Sequence, residues 1–358
     1  MKTFHCDKCR QQVFFENVRC ENCGSMLGYQ PEHHAISSFE PAGDNAGDNI
    51  WRSLNPANEG LLYKQCINYS REDVCNWMLP ADAESEFCAS CQLTHIIPAL
   101  SSEKNRLYWK RLEAAKRRLL YSLWDLRLQP TPKINDPDAG LAFEFLEDTP
   151  EKKVMTGHAN GLITLNIAEA DPAYREKTRE QMGEPYRTLL GHFRHESGHY
   201  YFDRLIADTK WIEPFRELFG DERQDYGECL QRHYKEGPPA DWDTRFISSY
   251  ASSHPWEDWA ETWAHYLHMV DTLDTAYACG MVLQPKKPGE PELKIDERPA
   301  RSTAFDDVIA EWFALSYVLN SLNRSVGMPD PYPFTLSTPV ISKLRFVHEV
   351  VLERQKMR

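Results

Sequence analysis

The stretch LLGHFRHESGHYYFDRL, residues 189–205, carries His195 and His199 four positions apart, with Glu196 directly after the first. Leu189, Leu190, Phe193, Tyr201, Phe202 and Leu205 recur around them at helical spacing. On a helix, positions i and i+4 share one face, so both imidazoles reach a single cation. Zinc accepts two such nitrogens, and Glu196 then stands where a general base toward a water is needed. The apolar flanks argue against a plain surface helix, because a carboxylate placed among them needs a cation or a polar partner. His192, one turn earlier, reads as a packed histidine or one that braces the ligands.

Two imidazoles and a water leave tetrahedral zinc one ligand short. The segment YASSHPWEDWAETWAH, residues 250–265, supplies candidates. Pro255 suits a helix start, with Ser253 or His254 as its cap, and the helix is predicted to run from about 255 to 270. Glu257, Glu261 and His265 then share one face at i, i+4 and i+8. Ala260 and Ala264 flank that stripe and permit close approach of a second helix. Spacing alone leaves Glu257 and Glu261 both open as the third ligand. His265 and His268 read as core or surface histidines.

The 358 residues contain ten cysteines, and eight lie within residues 1–100. Cys6 and Cys9 form one Cys-x-x-Cys turn; Cys20 and Cys23, followed by Gly24, form another after ten intervening residues. Two such turns present four thiolates to one tetrahedral zinc. Cys66, Cys75, Cys88 and Cys91 contain one tight pair and offer a second set of four. Sites of this kind are closed and contribute folding energy rather than catalysis. One catalytic Zn2+ and one or two structural ions are therefore expected.

Composition bounds the rest. Hydrophobic residues make up 41% and charged residues 27%, values of a globular chain. The length suits two or three domains. The formal charge is −13, and residues 1–100 hold 7 Lys/Arg against 13 Asp/Glu, which disfavours a nucleic-acid partner. No apolar run spans a membrane, and MKTFHCDKCR has no signal core, so a cytoplasmic location is expected. Residues 30–60 are polar, with Gly and Pro, and read as loop. Residues 103–128 read as a helix whose Lys104, Lys110, Arg111, Lys116, Arg117 and Arg118 form a solvated face, or a docking surface for the acidic catalytic part. Residues 161–167, GLITLNI, read as a strand. The last 55 residues read as two helices around MPDPYPF.

The HESGH segment with a later glutamate resembles the gluzincin metallopeptidases. Their ligand Glu is followed four residues on by an acid that orients a zinc-bound histidine. The run EDWAETW, with Tyr250 seven residues before Glu257, is similar to anthrax lethal factor-like peptidases. By that resemblance Glu257 is the third ligand, Glu261 orients a histidine, and Tyr250 donates to the developing oxyanion, with His254 as the competing donor. Zincins resembling this chain also lay extended substrate along an edge strand, a role open to 161–167, with an ordinary interior strand as the other reading. CDKC…CENCG, FCASCQLTHIIP, LEAAKRRLLYSL, GLITLNIAEAD, MGEPYRTLLGHFRHESGHYYFDRL and HPWEDWAETWAHYLH together resemble the bacterial zinc-binding metallopeptidases with an N-terminal zinc ribbon.

The expected class is α+β. A zinc-ribbon module over 1–100 precedes a zincin-like, largely helical peptidase domain with a small sheet over 101–358, its core at about 155–275 and a helical part at 300–358. The expected function is peptide-bond hydrolysis with Glu196 as base. The alternative is a ribbon adaptor on a catalytically idle zincin fold. Expected partners are a peptide or protein substrate and a protein partner for the ribbon, with no nucleic acid and no membrane.

Overall fold

The computed structural model describes residues 2–43, 49–302 and 304–356. The chain folds as two compact units: Lys2–Asp125 with Gln129–Pro172, and Leu126–Leu128 with the residues from Ala173 onward. The class is α+β, as expected, with the cysteines in a sheet-rich N-terminal region and helices dominating the remainder.

In the first unit, β1 (Phe4–His5) pairs antiparallel with β2 (Gln12–Val13) and presents the first cysteine turn. Strands β3 (Met26–Gln30), β4 (Ala35–Pro41), β5 (Trp51–Ser53), β6 (Leu62–Gln65) and β7 (Met78–Pro80) form an antiparallel sheet in that order. A one-turn helix, α1 (Ile67–Ser70), lies between β6 and β7. The reading of 30–60 as loop is corrected by β4 and β5; residues 44–48 of that stretch lie outside the described residues. Composition misled because Ile36, Ser37, Ser38 and Phe39 are all buried, so β4 shows no alternation of apolar and polar residues. Its serines are satisfied inside: Ser37 Oγ donates to Gln30 Oε1 at 2.6 Å.

A second sheet contains β8 (Thr94–Ile96), β9 (Ala142–Leu146), β10 (Gly157–Ala159) and β11 (Leu162–Asn166), in the order β10-β11-β9-β8. Helix α2 (Glu103–Asp125) crosses from β8 to its parallel neighbour β9. The predicted strand at 161–167 is thus β11, but it is interior, with β9 on one side and β10 on the other. Its reading as a substrate-binding edge strand is therefore corrected. Asn160 and Gly161 both have positive φ, 48° and 77°, and turn β10 back onto β11 as a two-residue hairpin.

The basic run of α2 is solvated only in part: Lys104, Lys110 and Arg118 are exposed. Lys116 and Arg117 are buried. Lys116 Nζ pairs with buried Glu113 at 2.8 Å and bonds Thr94 Oγ1. Arg117 Nη1 donates to Val74 O at 2.7 Å. Lys110 pairs with Asp73 at 2.5 Å, while Arg106 and Arg118 pair with Glu72 and Glu16. A helix that looked amphipathic by charge is bound to the N-terminal segment by those charges.

The second unit contains α3 (Pro172–Met182), α4 (Leu189–Leu205), α5 (Ile212–Phe219), α6 (Tyr226–Glu236), α7 (Trp242–Arg245) and α8 (Pro255–Ala278). A short ribbon of β12 (Val282–Leu283) and β13 (Leu293–Lys294) precedes α9 (Phe305–Ser325) and α10 (Thr338–Lys356). The two helices expected after residue 300 are present.

Helices α4 and α8 pack directly on each other around fully buried Phe193, Trp259, Trp263 and Tyr266. The contact depends on Gly198, where an added Cβ would lie 2.9 Å from the Ala260 Cα and 3.1 Å from the Trp263 ring. Indole hydrogen bonds close the crossing: Trp259 Nε1 to Gly198 O at 2.8 Å, and Trp263 Nε1 to Ser197 Oγ at 3.1 Å. Gly198→Ala gains about 1 kcal/mol of helix propensity. Overpacking against backbone costs about 1–3 kcal/mol. A lower denaturation midpoint is therefore expected for Gly198→Ala, and a much lower one for Gly198→Val. A raised midpoint in both would mean that the helices part freely.

Candidate metal centres and active site

The cysteines assemble as two tetrads. In the first, Cys6 and Cys23 Sγ are 3.6 Å apart, as are Cys9 and Cys20. In the second, Cys75 lies 3.7 Å from both Cys88 and Cys91, and Cys66 completes the group. Zinc–sulfur bonds of about 2.3 Å at tetrahedral angles place sulfurs about 3.8 Å apart, whereas a disulfide needs about 2.05 Å. The spacing therefore fits a tetrahedral ion and excludes bridging. Backbone amides of Trp77 and Cys88 point to the Sγ of Cys75 and Cys66 at 3.4 Å. Burial works against the Arg117 charge, but the thiols of Cys75, Cys88 and Cys91 together with Glu113 outweigh it and hold its pKa above the ordinary value. A buried guanidinium beside these three cysteines would offset thiolate charge there. Cys229 and Cys279 stand apart from both tetrads.

The third cluster is built on α4 and α8. Thr188 caps α4, its Oγ1 accepting from Gly191 N at 2.9 Å. His254 caps α8, its Nδ1 accepting from Trp256 N at 3.1 Å, with Pro255 at the first position. These caps set the rotational phase of both helices, and one ligand-type atom each from His195, His199 and Glu257 falls within 4.8 Å of the others. Glu257 Oε2 lies 3.0 Å from His195 Nε2 and 3.5 Å from His199 Nε2. Ligands at about 2.05 Å around a tetrahedral ion stand about 3.3 Å apart. Glu257 is buried, yet its Oε2 makes no hydrogen bond among the described residues. Buried oxygens are ordinarily satisfied, so this atom fits a cation seated among the three.

Glu261 stands behind this group. Its Oε1 accepts from His195 Nδ1 at 2.7 Å, which leaves the Nε2 lone pair directed at the cluster. Ser248 Oγ donates to Glu261 Oε2 at 2.6 Å, so both carboxylate oxygens are occupied. Burial alone would push Glu257 and Glu261 up. The imidazoles outweigh it and hold both carboxyls below their ordinary range, Glu257 well below. Glu196, buried with less compensation, is pushed up by desolvation. The structure thus brings together His195, His199 and Glu257, with Glu196 and Glu261 adjoining.

Tyr250 is beside them, its ring centroid 6.1 Å from that of His195. His254, the competing donor, is occupied otherwise. Its Nδ1 accepts from the α8 amide, and its Nε2 therefore donates to Gln224 O at 3.2 Å. His265 Nδ1 bonds Tyr332 Oη at 2.9 Å, and His268 packs against Tyr186, Trp312 and Tyr332. Tyr226 was not foreseen from the sequence; its hydroxyl donates to Glu257 Oε1 at 2.6 Å. The available signal was Asp225-Tyr-Gly-Glu228, a helix-start pattern, and Asp225 does cap α6.

Residues 105–350 match the family described as "Putative zinc-binding metallo-peptidase", and residues 3–102 match a zinc-ribbon domain. The chain belongs to that metallopeptidase family. It is 44% identical to uncharacterized proteins of Mycobacterium bovis and Mycobacterium tuberculosis, over 99% of this chain and 96% of each relative. No solved structure matches the chain significantly. No helix among the described residues is long and apolar enough to cross a membrane.

Proposed function

We propose that this chain is a zinc-dependent peptidase in which His195, His199 and Glu257 hold the catalytic ion. The observation carrying this reading is the meeting of two imidazole nitrogens and an unbonded carboxylate oxygen at tetrahedral-edge distances. Held by these three residues, zinc would supply Lewis acidity toward a water and the carbonyl of a peptide bond. Glu196 accepts the proton of the attacking water and delivers it to the leaving amine. Burial pushes its carboxyl up from the ordinary value, the direction that favours proton uptake. Tyr250 donates a hydrogen bond to the oxygen that gains charge in the tetrahedral transition state. Glu261 fixes the tautomer and the ring plane of His195. The two cysteine tetrads each hold a structural ion, giving three zinc ions per chain, and the ribbon segment engages a protein partner. The substrate is a peptide or protein, and the site of action is the cytoplasm.

The test compares two carboxylate variants. Glu257→Ala is expected to release one of three zinc ions from purified protein and abolish hydrolysis. Glu261→Ala, which removes only the support of His195, is expected to weaken that ion by about 10–100-fold. The reverse order would transfer the ligand role to Glu261, and three tightly held ions in both variants would remove the basis of the reading. Terminal labelling of proteins from cells carrying active or Glu196→Gln protein then reports the cleaved bonds.

A further inference from the structure

The Glu257 carboxylate is asymmetric. Oε2 faces the two imidazole nitrogens without a hydrogen bond, whereas Oε1 accepts from Tyr226 Oη at 2.6 Å. A carboxylate bound through both oxygens would need Oε1 as well. We infer that Tyr226 is a positioning residue: by holding Oε1, its hydroxyl confines Glu257 to one-oxygen binding and keeps a coordination position open for water and substrate. This rests on the zinc site proposed above.

The phenol is placed too firmly for the contact to be incidental. Asp225 caps α6, its Oδ1 accepting from Glu228 N at 2.8 Å, and so fixes Tyr226 at the first helical position. Gln224 O is held by His254, the residue that also caps α8. Upstream, Arg216 grips Glu222 with two hydrogen bonds of 2.6 and 3.0 Å. The Tyr226 ring meets His254 and Trp256 edge-on, at 5.3 and 5.6 Å between centroids. The start of α6 is thus tied to the start of α8, where the ligand resides. A carboxylate has no proton of its own, so the hydroxyl must be the donor.

Tyr226→Phe keeps the ring and its packing and removes only the donor. The full-length chain is used, with both cysteine tetrads filled with zinc and cobalt(II) titrated into the remaining site. Zinc affinity there is read by competition with a chromophoric chelator, and coordination number from the intensity of the cobalt visible bands. Tyr226→Phe is expected to lower zinc affinity by about 10–100-fold. It is also expected to weaken the cobalt bands, as a fifth ligand atom, the freed Oε1, joins. Glu257→Ala separates the two ideas. Loss of affinity in Glu257→Ala with an unchanged Tyr226→Phe protein would overturn the positioning role alone. Unchanged affinity in Glu257→Ala would overturn the metal site and the positioning role together. A merely structural tyrosine would lower the unfolding midpoint without moving the cobalt spectrum, and that result also defeats the inference.

Discussion

Glu196→Gln is expected to retain its full complement of zinc and lose peptide hydrolysis by about 10²–10⁴-fold in kcat. That loss corresponds to about 3–5 kcal/mol of transition-state stabilisation. The amide has the shape of the carboxylate but cannot take a proton from water. Glu196 is absent from the group of ligand atoms, so its replacement leaves His195, His199 and Glu257 in place. Metal analysis checks the first half of this expectation, and hydrolysis of a peptide mixture, read by newly exposed amino termini, checks the second. Undiminished turnover by the variant would remove the base from the scheme.

Lys343→Met is expected to destabilise the folded chain by about 3–5 kcal/mol, the range for removing one partner of a buried ion pair. Asp258, the neighbour of Glu257 in α8, is fully buried and receives Lys343 Nζ from α10 at 2.6 Å. Burial pushes the Asp258 carboxyl up to about 7 even with Lys343 beside it, which shows how costly an unpartnered charge would be there. The ammonium also donates to Arg245 O at 3.0 Å and lies 4.4 Å from the centre of the Phe246 ring. Pairing Lys343→Met with Asp258→Leu is expected to recover most of the loss, since an apolar pair needs no compensation. Denaturant titration of the three variants decides. Equal stability of Lys343→Met and the parent would mean that Asp258 finds another partner.

The third cluster was legible because helical geometry is local. Once His195 and His199 are on one turn, their shared face follows, and the same rule places Glu257 and Glu261 a turn apart. The cysteine tetrads were legible for a related reason, since a Cys-x-x-Cys turn declares its ligands within four residues. Contacts between distant segments were not. Nothing local to Tyr226 announces a bond to Glu257, 31 residues on. The burial of Lys116 and Arg117 depends on Glu113 together with Thr94 and Val74, which come from outside the helix. Strand β4 was hidden by serines that look solvated and are satisfied indoors. Strand β11 was found, but its interior place is set by partners on both sides, and only the Asn160-Gly161 turn hinted at one of them.

The Gly198–Ala260 crossing has a chemical corollary. Two of the three proposed donors ride on one rigid rod and the third on another, and backbone-to-backbone packing stops the rods from closing further while indole bonds oppose their opening. A larger ion such as cadmium, with bonds longer by some tenths of an ångström, must prise the rods apart or accept off-centre seating. For an ion held by those donors, the hole left by one absent side chain would act as a gauge of ionic radius, set by a contact that touches no metal.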